Sequence, residues 1–384
     1  NTIVTGDDTT YEDAATIEIP SPAFGLNAIP VGSQYVGWEF SVDYTYNDVG
    51  ATVKAWFYRG TRTQTVNREV QAVDPLWNDN CRLLDTPYIV IRIDPRLDLY
   101  PSGAPVVTAL VRGKRVIDPV SGTRVWTRNA ALCARDYLLD YCDLIPAEIN
   151  TTLMTAATNI CSEQEVILGG YESRYSCDAV LSTEASPPDN LRVILAAMSG
   201  SVTYAGGQYD IRAGAAEMPA GHLSEAFLGS GDLNIMPRPS VFQAFNGVRG
   251  LFSDATQQYV TTDYPSFQSP FYTAQDHDRI SVQQIDLPAV TSPHQAQRIA
   301  RLQLFLSRNT LSFEASWNLA ATKYSPGQVV TVSIASLGWD AKPFRIMRRE
   351  LQDGGQVRMT MREEAPAIYN WVSGDGSEYD PSPN

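Results

Sequence analysis

Residues 111–141 constrain this chain more than any other stretch: VRGKRVIDPVSGTRVWTRNAALCARDYLLDY. Val111 to Ile117 is rich in β-branched residues and reads as a strand. Asp118-Pro119 with Ser121-Gly122 has the chemistry of a tight turn, because proline pre-sets one backbone angle and glycine supplies a left-handed one. Thr123 to Trp126 returns as a second strand. Asn129 then stands where a side-chain oxygen can accept from the free amides of a helix start, ahead of Leu132, Leu138 and Leu139. The order strand, turn, strand, capped helix is thereby set locally. No catalytic motif lies within it.

A chain of 384 residues exceeds one ordinary core, and roughly two to four domains are expected. Charged residues make up 19%, below the roughly 25% usual for soluble domains. Thr, Ser, Asn, Gln and Tyr take their place, which suits strands and surfaces pressed against neighbours. The net charge of −14, with four lysines and scattered arginines, argues against tight phosphate binding, which needs clustered cations. The same charge favours solubility and would repel DNA. No run of apolar residues is long enough for a membrane-spanning helix; the longest, such as Leu191 to Met198, fit core helices. Residues 1–20 are polar and acidic and lack the basic start of a signal peptide. Both ends read as cuts in a processed or longer chain.

Hydrophobic patterning divides the chain in three. Tyr35–Tyr46, Thr52–Tyr58 and Tyr88–Ile93 read as strands, with a polar turn-rich segment over Asp74–Asn80, a stop at Asp94-Pro95 and a turn at Pro101–Gly103. Residues 129 to about 200 are helical in three places: Ala130–Cys142, a run through Met154, Ala157 and Ile160, and a run opened by Pro187-Pro188 with Leu191, Ile194, Leu195 and Met198 on one face. Arg174–Leu181 between them reads as a strand, and Val202–Arg212 as a hairpin about Gly206-Gly207. Beyond Pro239 the pattern is β again. A strand is expected over Asn246–Phe252, an aromatic loop over Tyr259–Tyr272, and a strand over Ser281–Leu287. A helix from Thr291-Ser292-Pro293 to Arg308 follows, with Ala296, Ile299, Leu302 and Leu306 inward and Arg298, Arg301 and Arg308 outward. Four strands close the pattern: Leu311–Trp317, Val329–Ile334, Phe344–Leu351 and Val357–Arg362. After Glu363 the chain is acidic and reads as a linker.

Candidate chemistry is sparse. Of five cysteines, Cys133, Cys142, Cys161 and Cys177 fall close together, but their spacings of 9, 19 and 16 match no common metal template. They read as small buried thiols, with a metal or cluster as the open alternative. Asp276-His277-Asp278 is the only histidine between two carboxylates and reads as a solvated loop cluster. His294 is expected exposed in a first helical turn, and His222 lies in a Gly/Pro-rich loop. No nucleophile elbow or phosphate loop is present. A glycosidase-like carboxylate pair has no sequence signal to select two of the 43 acidic residues. The arginines of the 293–308 helix suit an acidic neighbour better than phosphate.

Several stretches, in order, carry a family resemblance: WNDNCRLLDTPYIVIRI (77–93), VRGKRVIDPVSGTRVWTRNAALCARDYLL (111–139), RYSCDAVLSTEASPPDNLRVILAAMSGSVTYAGGQYDIRAG (174–214), FNGVRGLFSDATQQYVTTDYPSF (245–267), and the 291–347 segment with PGQVVTVSIASLGWDAKPFRI. The closing AIYNWVSGDGSEYDPSPN is similar to an exit toward further modules. Over residues 35–384 the chain resembles the central region of phage tail tip proteins of the lambda tip attachment protein J type, including gene transfer agent hubs. The resemblance implies a mainly β fold with α+β, in which two tube-type β-barrel domains flank an α+β hub domain. The expected division is an N-terminal extension or strand-exchange segment at 1–34, a β-rich tube-type domain at 35–128 and the α+β hub domain at 129–238. A second tube-type barrel with one helix at 239–364 and an acidic linker at 365–384 complete it.

It further implies a structural virion protein of a siphophage-like tail tip, assembled in the host cytoplasm as a homotrimeric ring that closes the tail tube and joins the DNA ejection channel. Its partners would be the distal tail protein and other tip or tube proteins, downstream receptor-binding modules or fibres, DNA passing without specific binding, and the host envelope. No enzyme activity, cofactor, catalytic residue or metal ligand is expected. A cell-wall glycan hydrolase and a monomeric carbohydrate-binding β module are the alternatives. A single essential carboxylate would mark the first and glycan retention by a monomer the second.

Overall fold

The computed structural model describes residues 16–18, 25–26, 37–46, 49–58, 68–81, 88–92, 108–110, 113–229, 233–236, 244–309, 311–371 and 376–379. They fall into two compact units, 1–113 and 114–384. The expected stop at Asp94-Pro95, the turn at Pro101–Gly103 and Val111-Arg112 lie outside the described residues, as does most of 1–34.

The first unit contains β1 (Thr16–Glu18), β2 (Gly25–Leu26), β3 (Gly37–Tyr46), β4 (Val49–Tyr58), helix α1 (Arg68–Val73), β5 (Tyr88–Arg92) and β6 (Thr108–Leu110). A four-stranded antiparallel sheet runs β2-β3-β4-β5, and β1 pairs with β6. Tyr46 stands opposite Val49, so Asn47-Asp48 is the whole connection between β3 and β4. The three strands read from periodicity are therefore present, β4 beginning earlier than expected. Helix α1 was not anticipated, being too short to show a period. Beyond it the Asp74 carboxylate accepts from the Leu76 amide at 2.9 Å and the Asn78 side chain from the Asn80 amide at 2.9 Å, the turn chemistry expected of this polar segment.

The second unit opens with β7 (Val116–Ile117), β8 (Arg124–Val125) and α2 (Ala130–Tyr141). The hairpin is shorter than its β-branched content suggested, because Asp118 turns the chain at once. Its carboxylate accepts from the Val120 amide and the Ser121 hydroxyl, and Gly122 takes φ +67°. Asn129 caps α2 as expected, accepting from the Ala131 and Leu132 amides at 3.1 and 3.2 Å. Its amide nitrogen also donates to Thr158 O and Ser162 Oγ, at the far end of α3 (Thr151–Ser162). One side chain thus starts one helix and fixes the end of another.

A hairpin of β9 (Gln164–Ile167) and β10 (Gly170–Ser173) follows, then α4 (Pro187–Ala197), and the hairpin β11 (Ser201–Ala205) and β12 (Gln208–Arg212) turned by Gly206 and Gly207 at φ +62° and +85°. The strand expected over Arg174–Leu181 is absent apart from one bridge, Asn129 to Ser176. Its amides go to separate partners: Cys177 N to Arg128 O, Asp178 N to Ala289 O, and Ser176 N to the Gln295 side chain. No continuous neighbour is available to form a ladder. The helices meet over Ala130, Ala131, Ala134, Met154, Ala157 and Ile194, all buried, where alanines let backbones approach closely.

The remainder comprises β13 (His222–Ser224), β14 (Asn234–Met236), β15 (Gly247–Arg249), β16 (Leu251–Asp254), β17 (Val260–Asp263), β18 (Phe267–Gln268), α5 (Pro270–Gln275), β19 (Val282–Gln284), α6 (Pro293–Arg308), β20 (Ser312–Trp317), β21 (Val329–Ile334), β22 (Trp339–Leu351) and β23 (Val357–Glu363). The aromatic loop expected over 259–272 holds β17, β18 and the start of α5. The single strand expected over 246–252 breaks at Gly250 into β15 and β16. A Cβ there would lie 1.9 Å from the Ile285 carbonyl oxygen, so the backbones touch.

A six-stranded sheet in the order β13-β21-β22-β23-β20-β14 organises the C-terminal half. Alternate residues Phe313, Ala315 and Trp317, with Val357, Met359 and Met361, point to one side and are buried, giving the period-two pattern visible in the sequence. The chain is therefore mixed α and β with mostly β sheets. Among the described residues these sheets are open, and no closed barrel is formed.

Helix α6 is capped by Ser292, whose hydroxyl accepts from the Gln295 amide, with Pro293 in its first turn. Its buried set runs almost all round: Gln295, Ala296, Gln297, Arg298, Ile299, Ala300, Leu302 and Leu304. Leu306, expected inward, is only half-buried. The expected outward arginine face is corrected by this burial: Arg298 is 6% exposed.

Candidate functional site

The residues singled out for chemistry do not converge. Cys161 is buried with its sulfur 3.9 Å from Met198 Sδ, and burial pushes its thiol up to about 12. Cys133 donates its thiol to Thr127 O at 4.0 Å and Cys177 is buried, while Cys142 lies half-buried past the end of α2. Among the described residues no group of three or more His, Cys, Asp or Glu is placed to hold a metal ion. His222 Nδ1 lies 2.9 Å from Thr331 Oγ1 and the ring is exposed. His294, expected exposed, is half-buried.

The Asp276-His277-Asp278 cluster, expected to be solvated, is only partly so. His277 and Asp278 are exposed in left-handed backbone at φ +57° and +59°, but Asp276 receives both Nη atoms of Arg308 and the Asn246 side-chain amide at 2.9 Å. The Arg308 guanidinium holds the Asp276 carboxyl below its usual 3.8. A lowered folded pKa gives stability that is complete above the ordinary value and lost as pH falls through the folded one. Asp276→Asn should therefore flatten the acid limb of unfolding free energy against pH below about pH 4, by up to one proton's worth, about 1.4 kcal/mol per pH unit. Denaturant titrations across that range check it; an unchanged acid limb contradicts it.

The other arginines of α6 also find partners within the chain, although the buried Arg298 Nε has none. Arg298 Nη1 donates to Glu172 at 2.6 Å and Nη2 to Arg174 O at 2.9 Å. Arg301 Nη1 donates to the carbonyls of Ile368 and Asn370. The acidic-neighbour role read for this face is thus taken by Glu172 on β10 and by the chain's own C-terminal segment.

That segment, within the stretch expected as a linker, lies against the unit as a strap. Ile368 is buried, and Arg174 Nη2 donates to Tyr369 O at 3.3 Å. Trp371 Nε1 donates to Val166 O at 3.3 Å, and Gln297 exchanges hydrogen bonds with Ser377 at 2.7 and 3.0 Å. Tyr379 donates to Asp254 at 2.6 Å and packs edge-on against Phe252. A buried charge network underlies it: Glu217 bridges Arg212 and Arg345 at 2.8 and 2.7 Å, and Arg345 Nε donates to Glu364 at 2.6 Å. Removing one member would strand a buried partner, and the network links β12 of the helical part to β22 of the six-stranded sheet.

Between the strap and the β9–β10 hairpin opens a cleft of about 440 Å³. One wall is Glu163, Glu165 and Arg174, and the other is Tyr369, Asn370 and Trp371. Arg174 Nη1 donates to Glu163 at 2.6 Å, and its Nε lies 3.4 Å from Glu165. None of these six residues was foreseen as a site. The available signal was Tyr369 and Trp371, two large aromatics in a tail otherwise composed like a linker.

Residues 186–349 match the sequence profile of the family described as "Putative phage tail protein". Over 96% of this chain and 88% of the other, the fold matches a chain of the virion of a native gene transfer agent particle, with TM-score 0.57 at 14% identity. A prophage tail protein, gp18 from Listeria monocytogenes EGD-e, aligns over 47% of this chain and 54% of its own with TM-score 0.27 and 11% identity, too weak to carry an argument. No curated protein matches. A stretch similar to a phage tail protein family is thus set in a chain whose fold is similar to one from a gene transfer agent virion.

Proposed function

We propose that this chain is a structural subunit of a phage-like tail, and specifically its tip hub: a homotrimeric ring that closes the tail tube and becomes part of the DNA ejection channel. The observation that carries this reading is the coincidence of a tail-protein sequence match over residues 186–349 with a whole-chain fold match to a gene transfer agent virion. The ring would complete as tube-type barrels the β-rich parts before 129 and after 239, with the α+β part between them outside.

Two physical features support it. The short strands β13 and β14 end the six-stranded sheet, and β19 ends another, leaving edges that a closed ring would cover. The net charge of −14 would keep passing DNA from adhering. The partners on this reading are the distal tail protein, neighbouring tip and tube proteins and downstream receptor-binding modules, and the chain performs no catalysis.

Electron cryomicroscopy of purified particles, with antibody labelling of this chain, tests the proposal. Threefold density at the tail tip is the expected result. A single copy, or label confined to the head, overturns the hub reading.

A further inference from the structure

The cleft between the strap and the β9–β10 hairpin has a composition that selects one ligand class. Its charged wall carries one net negative charge: Arg174 is held between Glu163 and Glu165, and its remaining Nη2 is taken by Tyr369 O. Just beyond, Arg298 is paired with Glu172. An anionic ligand would be repelled by that charge and would have to break one of these pairs to reach a guanidinium. A neutral polyhydroxylated ligand need not. Carboxylates held by a guanidinium keep spare lone pairs, and Glu163 keeps 51% of its side chain exposed.

The opposite wall supplies the complementary surface. Trp371 is half-buried, its indole N–H donates to Val166 O at 3.3 Å, and the Arg298 guanidinium lies over its ring at 5.9 Å. Asn370 beside it is exposed and carries both a donor and an acceptor. An aromatic ring lining the same cleft as two carboxylates suits a pyranose ring, whose C–H face stacks while its hydroxyls pair.

We infer that this cleft is a binding site for a neutral saccharide unit, with Trp371 as the stacking platform and Glu163, Glu165 and Asn370 as hydroxyl partners. The assignment is of binding, not hydrolysis, and does not depend on threefold assembly.

Saturation-transfer NMR on the full chain tests it, with maltotriose, chitobiose, lactose and mannobiose as neutral probes and inorganic phosphate as competitor. At least one sugar should receive saturation on its pyranose protons, with no displacement by phosphate. Trp371→Ala should reduce that transfer at least fivefold. Asn370→Ala, which removes an exposed side chain and keeps the backbone carbonyl that Arg301 holds, should weaken it at least twofold. Absence of transfer to all four sugars overturns the assignment, as does transfer that survives both substitutions or is displaced by phosphate. A trimeric tail tip without sugar binding would leave the hub reading standing and this one refuted.

Discussion

Gln295→Leu should lower the unfolding free energy by about 3 kcal/mol or more, since each buried polar group left without a partner costs roughly 1–3 kcal/mol. Gln295 is fully buried on α6 and makes four hydrogen bonds. Its Oε1 accepts from the Ser176 amide at 3.1 Å and from the Ser176 hydroxyl at 2.8 Å. Its Nε2 donates to Ser176 O at 2.8 Å and Ala197 O at 2.7 Å. Leucine would fill similar space but leave the Ser176 backbone and the end of α4 unsatisfied together. Urea unfolding should show a lower midpoint with an unchanged slope. A loss below about 1 kcal/mol would mean these groups find other partners easily, and would remove Gln295 as the organiser of residues 174–181.

An equally large effect is expected for Gly250→Ala. The added methyl would meet the Ile285 carbonyl oxygen at 1.9 Å and its carbon at 2.5 Å, both backbone. Neither can retreat freely, because Ile285 N donates to Arg249 O at 2.8 Å, Leu287 N to Leu251 O at 2.7 Å and Tyr264 N to Gly250 O at 3.1 Å. Relief therefore requires parting two backbones, a cost of about 4 kcal/mol or more, in the tail of single-residue effects. Gly338→Ala is the fitting control. Its Cβ meets nothing within 4 Å, and its φ of +67° costs a non-glycine residue only about 1–2 kcal/mol. Equal losses for the two would refute the close-approach argument. Hydrogen exchange should localise the Gly250→Ala damage to β15, β16 and β19.

Legibility in the sequence followed the range of the forces involved. Local chemistry was readable: Asn129 as a cap, Asp118 as a turn, Gly206-Gly207 as a hairpin loop, and the alternation that builds β20 and β23. Outcomes set by distant partners were not. Arg298 lies on a helix whose polar residues suggest a solvent face, yet Glu172, far back in the chain, draws it inside. Residues 174–181 have strand-like composition, but their backbone is claimed by Gln295, Arg128 and Ala289 one group at a time. Gly250 did carry a signal, since glycine within a strand pattern marks a close approach, and that reading would have split the strand correctly. The cleft escaped because its two walls come from residues 163–174 and 369–371, which nothing in a linear pattern connects.

The strap also bears on the order in which the chain can fold. Arg174 waits for a carbonyl 195 residues downstream, Ser176 for a side chain 119 residues away, and His222 for a strand partner at a separation of 109. Contacts of such span are slow to form, because a long loop must be closed before they return any energy. During synthesis the helices α2 to α4 can collapse early on their alanine-rich interface. Their charged rim and the irregular 174–181 segment then remain unfinished until nearly the whole chain has emerged. A nascent subunit therefore keeps sticky, half-satisfied surface for most of its translation, and its yield should depend more on chaperone supply and elongation rate than on its final stability.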